Sequence, residues 1–516
     1  MSACYSGYVG ACRIDVGHLP LCDDLCMAPA TGTQVAKTTR PVLCVDLDGT
    51  LIRGNVLWEC VLLLLKSQPL ALFWIPFWLI KGRAFVKQEV AARIELHASR
   101  LSYRSQVIDF LKEEKRSGRR IALVTAADQK VAFAVSNYLG LFDEVYSSDG
   151  QFNLKGSNKA NFLARHFQDT GFDYMGDSAA DLEVWGKARS AYVVGNEARV
   201  RQAAAVSSVA GTVLESRAPF KTFCRTWINA LRGHHWAKNL LLFLPLALSH
   251  KLAVPSVLRT FTGFVLYGLC ASGLYILNDL LDLHSDREHP WKKERPFAAG
   301  DISIPEGLIA SVILLSSALG FGFLLEIKFG LALLGYSALT MLYSLYLKKV
   351  ALLDVFVLSS FYSFRILAGA LISSTPLSQW FLAFSMFFFL SLAMAKRYSE
   401  LLHASDLVKK GNSGRGYRTG DRELLLSLGV GSSFSAVVIF SLYVHSQDVL
   451  ALYSSPDFLF LLCPIVLYWL SRTWLMAHRG ELREDPVTLA IRDRVSYAVG
   501  FVSSLVIAAS MVHLNW

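Results

Sequence analysis

Charge is scarce in this chain: Asp, Glu, Lys and Arg make up only 18% of its 516 residues, where a soluble domain carries about 25%. That deficit excludes an ordinary soluble globule, and an apolar content of 53% excludes a disordered chain. Paired cysteines are also missing. The nine cysteines (Cys4, Cys12, Cys22, Cys26, Cys44, Cys60, Cys224, Cys270 and Cys463) are scattered without a CxxC pair, which excludes a small disulfide scaffold and fits reduced thiols facing the cytosol. Cys22 and Cys26 flank Asp23 and Asp24, but no second ligand pair follows to complete a metal site. The net charge of +10 comes without a basic block interleaved with stacking aromatics in a soluble stretch, so nucleic acid is not an expected partner. The first forty residues lack a basic start followed by an apolar core. Residues 1–40 are therefore expected to be a loose extension rather than a signal peptide.

What is present is distributed unevenly. Up to about residue 235 charged and apolar residues mix as in a soluble α/β domain; beyond it, apolar runs near twenty residues recur between short charged loops. We expect a soluble domain over 41–218 fused to a polytopic, all-α membrane domain over 219–516.

In the soluble part, PVLCVDLDGT (41–50) is an apolar β-branched run followed by Asp46 and Asp48 in a turn. Further strands are expected at Ile121–Thr125, before MGDSAADLEVW with Asp177 and Asp181, and at 191–195. Strands alternating with helical stretches imply a doubly wound parallel sheet whose ligands bind beyond the strands' carboxyl ends. DLDGT, Thr125, Lys159 and GDSAAD, in that order, resemble the four motifs of haloacid dehalogenase-type phosphatases. The resemblance covers about residues 40–215. It implies that Asp46 attacks phosphorus, that Asp48 protonates the leaving alcohol and then activates water, and that Thr125 and Lys159 hold phosphoryl oxygens. It also implies one magnesium ion, bound at Asp46, Asp48 and Asp177 with Asp181 in the same motif. Lys155 is the alternative to Lys159. A phosphate dianion repels a carboxylate until metal and lysine offset its charge, which is why this set is needed.

These phosphatases carry a helical cap between the first two motifs, here about 52–118. The cap contains VLLLLKSQPLALFWIPFWLIKGR (61–83), interrupted by Lys66 and Pro69. Pro69–Ile80 is too short to cross a bilayer of about 30 Å. Trp74 and Trp78 with Lys81 and Arg83 suggest an interfacial hairpin, against the alternative of an ordinary apolar cap core.

Nine spans are expected, at roughly 237–257, 260–281, 305–326, 329–347, 350–371, 377–396, 424–445, 455–473 and 493–513. One set of connections is rich in Lys and Arg, including Arg287, Lys348, Lys349, Lys409, Lys410, Arg415, Arg479, Arg483 and Arg492; the opposite set holds Lys251, Arg259 and Lys328. The positive-inside rule makes the first set cytoplasmic, together with the soluble domain, in a bacterial inner membrane.

The run NDLLDLHSDREHPWKKERPFAAG (278–300) places Asp279, Asp282 and Asp286 at i, i+3, i+7 spacing beside Asn278. On a continuous helix they share a face. Three such carboxylates need a cation between them, and hard oxygen ligands select magnesium. Lys292, Lys293 and Arg295 supply charge for phosphate oxygens. NDxxDxxxD resembles the UbiA-type intramembrane prenyltransferases, which have nine spans. The usual second aspartate-rich loop is replaced by a basic one, AKRYSELLHASDLVKKGNSGRGYRTGD (395–421). HPWKKERPFAAG, YSLYLK (343–348) and AKRYSE are similar to segments of one branch, the decaprenyl-phosphate phosphoribosyltransferases; Arg232-Gly233 departs from its more usual Arg-Pro.

That resemblance implies a phosphoribosyl diphosphate donor, a polyprenyl phosphate acceptor and at least one magnesium ion at the aspartates. Such a donor needs a metal cluster for its diphosphate and a basic pocket for its 5-phosphate. Lys238, Tyr343, Lys348, Lys396, Arg397 and Tyr398 are candidates for the pocket. Arg365 lies within a span, where a charge is expensive and commonly functional; the acceptor phosphate and an internal carboxylate are its two expected partners. The whole reads as a bifunctional enzyme that makes a polyprenyl-phosphoryl-5-phosphoribose and removes its 5-phosphate. The alternatives are a conventional prenyltransferase acting on an aromatic or quinone acceptor, and a non-catalytic regulatory role for the first domain. Oligomeric state is left open.

Overall fold

In the computed structural model the described residues are 40–195, 197–207, 220–250, 252–404, 416–482, 486–490 and 492–511. The expected extension (but for Arg40), the 218/219 boundary, and Lys251, Lys409, Lys410, Arg415 and Arg483 fall outside them. Pro41–Trp516 forms one compact unit.

Its first part is a five-stranded sheet: β1 (Val42–Val45), β2 (Ile121–Asp128), β3 (Glu144–Ser148), β4 (Phe172–Gly176) and β5 (Ala191–Val193). The order is β3-β2-β1-β4-β5, and every pairing is parallel. β1 is buried at all its positions, as its unbroken apolar run requires of a central strand with helices on both faces. The chain reverses direction of winding at β1, so the carboxyl ends of β1 and β4 open on the switch-point crevice. β3 was not expected: its sequence, EVYSS, lacks an apolar run, and it is held by pairing with β2.

Between β1 and β2 lie α1 (Val56–Ser67), a 3-10 segment Pro69–Trp74, α2 (Ile75–Ile80), α3 (Arg83–Arg93) and α4 (Ser105–Arg116). Asn55 caps α1 by accepting the Leu57 N–H at 3.0 Å. Trp78 is buried, so of the two expected interfacial tryptophans only Trp74 faces outward. α5 (Gln129–Leu139), α6 (Ser157–His166), α7 (Leu182–Trp185) and α8 (Glu197–Val206) complete the layer.

The second part is helical: α9 (Phe220–Leu231), a 3-10 segment Gly233–Phe243 running into α10 (Leu244–Leu248), α11 (Val254–Leu281), α12 (Leu283–Glu288), α13 (Pro296–Ala299), α14 (Ile304–Leu325), α15 (Ile327–Leu345), α16 (Leu353–Ser373), α17 (Gln379–Ala404), α18 (Arg422–Val444), α19 (Gln447–Leu450), α20 (Leu462–His478), α21 (Pro486–Ala490) and α22 (Arg494–Ser510). Among the described residues seven helices are long and apolar enough to span a membrane, rather than nine. The expected first span is instead the 3-10 segment and short α10, broken by the polar HHWAKN stretch and Pro245. The expected last is the 17-residue α22. The 3-10 segment is drawn tightly onto α16: a Cβ at Gly369 would collide with the Leu242 carbonyl.

The two parts share an interface. Leu62 of α1 lies in one apolar cluster with Ala230, Ile276, Leu280, Phe297 and Ile304. Glu59 of α1, almost wholly buried, takes two hydrogen bonds from Arg287 at 3.0 and 2.8 Å. Arg100 pairs with Glu288 at 2.6 Å, and Ser102 donates to the Ala299 carbonyl at 3.2 Å.

Candidate active sites

At the carboxyl end of β1, Asp46 is nearly buried, with its Oδ1 2.9 Å from the Lys159 ammonium and 2.8 Å from the Leu47 N–H. Lys159 comes from the first turn of α6 and also bonds the Tyr174 hydroxyl at 2.8 Å. That hydroxyl donates to Asp181 Oδ1 at 2.8 Å, while Asp181 Oδ2 accepts from the Ser178 amide at 2.9 Å and hydroxyl at 2.7 Å. Asp177, at the end of β4, accepts from Thr50 Oγ1 at 3.2 Å. Its carboxylate occupies the space where a side chain at Gly49 would lie, and Gly49 adopts φ +77°, which no ordinary residue takes readily. Thr125, in β2, is buried, and its hydroxyl accepts the Ala127 N–H at 3.0 Å.

Ligand oxygens of Asp46, Asp177 and Asp181 lie within 4.8 Å of one another, a donor set suited to a hard divalent cation. Burial pushes the Asp46 carboxyl up to about 6, opposed by Lys159 and reinforced by Asp181 and Asp48. Burial and the same neighbours, Asp181 and Asp46, push Asp177 up to about 7. Burial likewise raises Asp48, whose Oδ1 accepts the Val56 N–H at 2.7 Å. Asp48 is thus tied to the first residue of α1, one turn from Glu59.

At one end of the membrane helices a second acidic group forms. α11 ends at Leu281, Asp282 caps it, and Asp286 belongs to α12. The expected single stripe is therefore divided. Asp279 pairs with Arg232 and, at 3.2 Å, with Arg295; Arg295 also reaches Asp286 at 2.6 Å. Asp282 pairs with Lys348 at 2.7 Å. Arg295 bridges Asp279 and Asp286 while Lys348 holds Asp282, so the three do not gather as the first trio does. Asn278 keeps the helix, its carbonyl accepting the Asp282 N–H at 2.9 Å. Lys292 lies in a 3-10 turn, Lys292–Glu294.

The rest of the expected basic pocket is divided as well. Arg397 is buried against Asp354 at 2.5 Å and donates to the Tyr343 hydroxyl at 3.2 Å. Tyr398 faces His478 at 3.0 Å. Arg365 bonds Asn239 Oδ1 at 3.0 Å and the Phe361 carbonyl at 2.6 Å, with Tyr267, Tyr336 and Tyr362 rings around it. An amide and aromatic faces thus occupy the place where an internal carboxylate was one expected partner. Lys238 lies 5.6 Å from the centre of the Tyr362 ring, and Lys396 is half-buried on α17.

Residues 240–508 match the model of the UbiA prenyltransferase family, more than half of the chain. The chain belongs to that family. Residues 43–185 match the haloacid dehalogenase-like hydrolase model. This UbiA-family enzyme is 39% identical over 469 residues to Uncharacterized protein y4nM of Sinorhizobium fredii, covering 89% of each chain. It is 36% identical to Nodulation protein NoeC of Azorhizobium caulinodans, covering 54% of this chain and 89% of NoeC. It is 32% identical to Decaprenyl-phosphate phosphoribosyltransferase of Mycobacterium tuberculosis, covering 52% of this chain and 88% of that protein. Matches of this kind, with the apolar helices, make the chain a multi-pass membrane protein.

Several site residues of this UbiA-family enzyme escaped the sequence. Tyr174 sits inside an apolar strand and looks like core. Lys87 donates to the Ala126 carbonyl at 2.5 Å and Asn153 Oδ1 at 2.9 Å, and burial pulls it down to about 8 against the opposing charge of Asp48. Nothing in RAFVKQEV (83–90) marks it. Arg232 had a signal, as the point where a motif departs from pattern, yet its tie to Asp279 needed the fold.

Proposed function

We propose that the membrane part transfers 5-phosphoribose from phosphoribosyl diphosphate to a polyprenyl phosphate of decaprenyl type. The soluble part, with its boundary near 218/219, then removes the 5-phosphate. The observation that carries this reading is the buried Glu59–Arg287 clasp, which joins the phosphatase cap to the helix bearing Asp286. A phosphatase built onto the acidic end of a transferase is suited to the transferase's own product. The name of the Mycobacterium tuberculosis relative supports the donor and acceptor classes.

In the transferase step an oxygen of the acceptor phosphate attacks the anomeric carbon of the ribose, and diphosphate leaves. Arg232, Arg295 and Lys348 pair with the aspartates, where they and Lys292 would take over diphosphate oxygens. Asp279, Asp282 and Asp286 would hold magnesium, which would stabilise the departing diphosphate. The acceptor is already an anion, so no strong base is needed. Lys238, Tyr343, Arg365, Lys396, Arg397 and Tyr398 remain the candidates for the 5-phosphate and acceptor phosphate.

In the phosphatase step Asp46 attacks the 5-phosphate, forming an aspartyl phosphate, while Asp48 delivers a proton to the departing ribosyl oxygen. Asp48 then takes a proton from water, which attacks phosphorus and frees Asp46 and inorganic phosphate. Thr125 and Lys159 hold the phosphoryl oxygens. Asp46, Asp177 and the Asp48 carbonyl would hold magnesium, which offsets the charge of phosphate and carboxylate, with Asp181 fixing the loop. Both sites would face the cytoplasm at a bacterial inner membrane.

The test is to supply membranes containing the protein with labelled phosphoribosyl diphosphate, then with labelled prenyl diphosphate. Lipid-linked label from the first is expected. Label transferred to an aromatic acceptor from the second alone makes the protein a conventional prenyltransferase.

A further inference from the structure

The most exposed large apolar side chains of the soluble part are gathered in one short segment. Leu70 and Phe73 are each 75% exposed, Phe77 61% and Ile80 83%, all within Pro69–Ile80. Trp74 is exposed beside them, its ring 5.7 Å from that of Phe77. The segment is nonetheless built: Trp78 is buried and lies 4.6 Å from the Arg93 guanidinium. A groove of about 610 Å³ runs along it, lined by Pro69, Leu70, Ala71, Trp74, Trp78 and Arg93. A contiguous apolar patch of this kind on a soluble domain marks an interaction surface.

We propose that Pro69–Ile80 lies in the headgroup–acyl boundary of the same bilayer that the membrane part spans. Its position decides the occupant. Helix α1 ends at Ser67, just before the segment, and is packed by Leu62 against Leu280, where α11 ends, and Ile304, where α14 begins. Those residues mark the level at which two spanning helices leave and re-enter the bilayer. The patch continues an interface that already sits at the membrane surface. Exposed Lys81 and Arg83 follow it and suit lipid phosphates, the apolar-body, cationic-edge pattern of an element that lies on a bilayer. At 1.5–2 Å per residue the segment reaches only about 20 Å, so it rests on the membrane rather than crossing it. The cap is thereby held by lipid on one side and by Arg287 on the other, above the plane in which any lipid-linked substrate must diffuse. This placement goes beyond the proposed reaction and does not depend on it.

The test uses the full chain in nanodiscs of phosphatidylcholine and phosphatidylglycerol, labelled with an environment-sensitive fluorophore at Phe77→Cys or, separately, Leu70→Cys. A control label is placed at Asp169→Cys, in the exposed turn before β4. The labelled native chain provides the background from its own cysteines. Labels at 77 and 70 are expected to shift to the blue and to lose intensity with acyl-brominated lipid, while the label at 169 does neither. Emission at 77 and 70 unaffected by brominated lipid overturns the proposal. So does a shift accompanied by cross-linking of two copies through 77, without quenching, which would make the patch an interface between copies. No substrate is needed, so the result stands or falls apart from the proposed reaction.

Discussion

The two ends of this enzyme hold the same chemical group, a trio of aspartates, in opposite electrical settings. In the soluble part Asp46, Asp177 and Asp181 converge within 4.8 Å, and Lys159 is the cation bonded directly to Asp46. Burial, with Asp181 beside both, carries the carboxyls of Asp46 and Asp177 up to about 6 and 7. In the membrane part three cations face three aspartates: Arg295 bridges Asp279 and Asp286, Arg232 also pairs with Asp279, and Lys348 holds Asp282. Close carboxylates in a low-dielectric crevice repel strongly and favour a divalent cation. Matched ion pairs are already neutral, so in the proposed reaction a diphosphate would draw the basic groups away from their aspartates.

The largest expected effect tests whether the two sites are separable. Asp46→Asn keeps the volume of the nucleophile and removes its reactivity; phosphatase turnover should fall about 10⁴-fold or more. Transferase turnover should hold within about twofold, as for distant independent sites. Mass spectrometry of extracted lipids should then show the species one phosphate heavier. Wild-type levels of the lighter lipid, with no other phosphatase present, would separate the soluble part from this substrate.

Asp279→Asn should lower diphosphate release about 10²–10³-fold, the scale of losing one preorganised charge at a transition state. Hydrolysis of a small soluble phosphoester should persist. Loss of both activities would mean that the membrane-side aspartates also support the phosphatase fold.

Glu59→Gln leaves the Arg287 guanidinium, 10% exposed, without its carboxylate. Breaking a buried pair costs about 3–5 kcal/mol, so thermal unfolding in detergent should shift down clearly. Because Val56 of the same helix bonds Asp48, phosphatase turnover should fall too; an unchanged unfolding profile would show the clasp to be dispensable.

The smallest effect is expected for Tyr174→Phe. It removes a hydroxyl joining Lys159 and Asp181, worth about 1–2 kcal/mol. Magnesium affinity, read by titrating phosphatase activity, should weaken about tenfold. A change as large as that of Asp46→Asn would make the tyrosine part of the reaction itself.

Periodicity and short motifs determined much of this protein. Unbroken apolar runs announced β1 and β2, because a central parallel strand must be apolar on both faces; β4 was legible from the aspartate motif that follows it and β5 from the short run AYVVG. Apolar lengths announced the spanning helices from α11 to α20, and the family resemblance named Asp46, Asp177 and Lys159, which the fold brings together. The pairings were not legible. Whether Asp282 continues a helical stripe depends on Lys348, which lies 66 residues away, and no local pattern encodes that attraction. β3 is held by the edge that β2 offers it, and the close approach of the 3-10 run Gly233–Phe243 to α16 depends on Gly369 having no side chain. Glu59 reads as one charge in an apolar helix, and its meaning comes from an arginine 228 positions on. Sequence fixes what each segment tends to bury, since that follows from hydrophobicity and spacing along one element. Which charges meet is decided by the packing of elements distant along the chain, since only folding brings such partners within reach of each other.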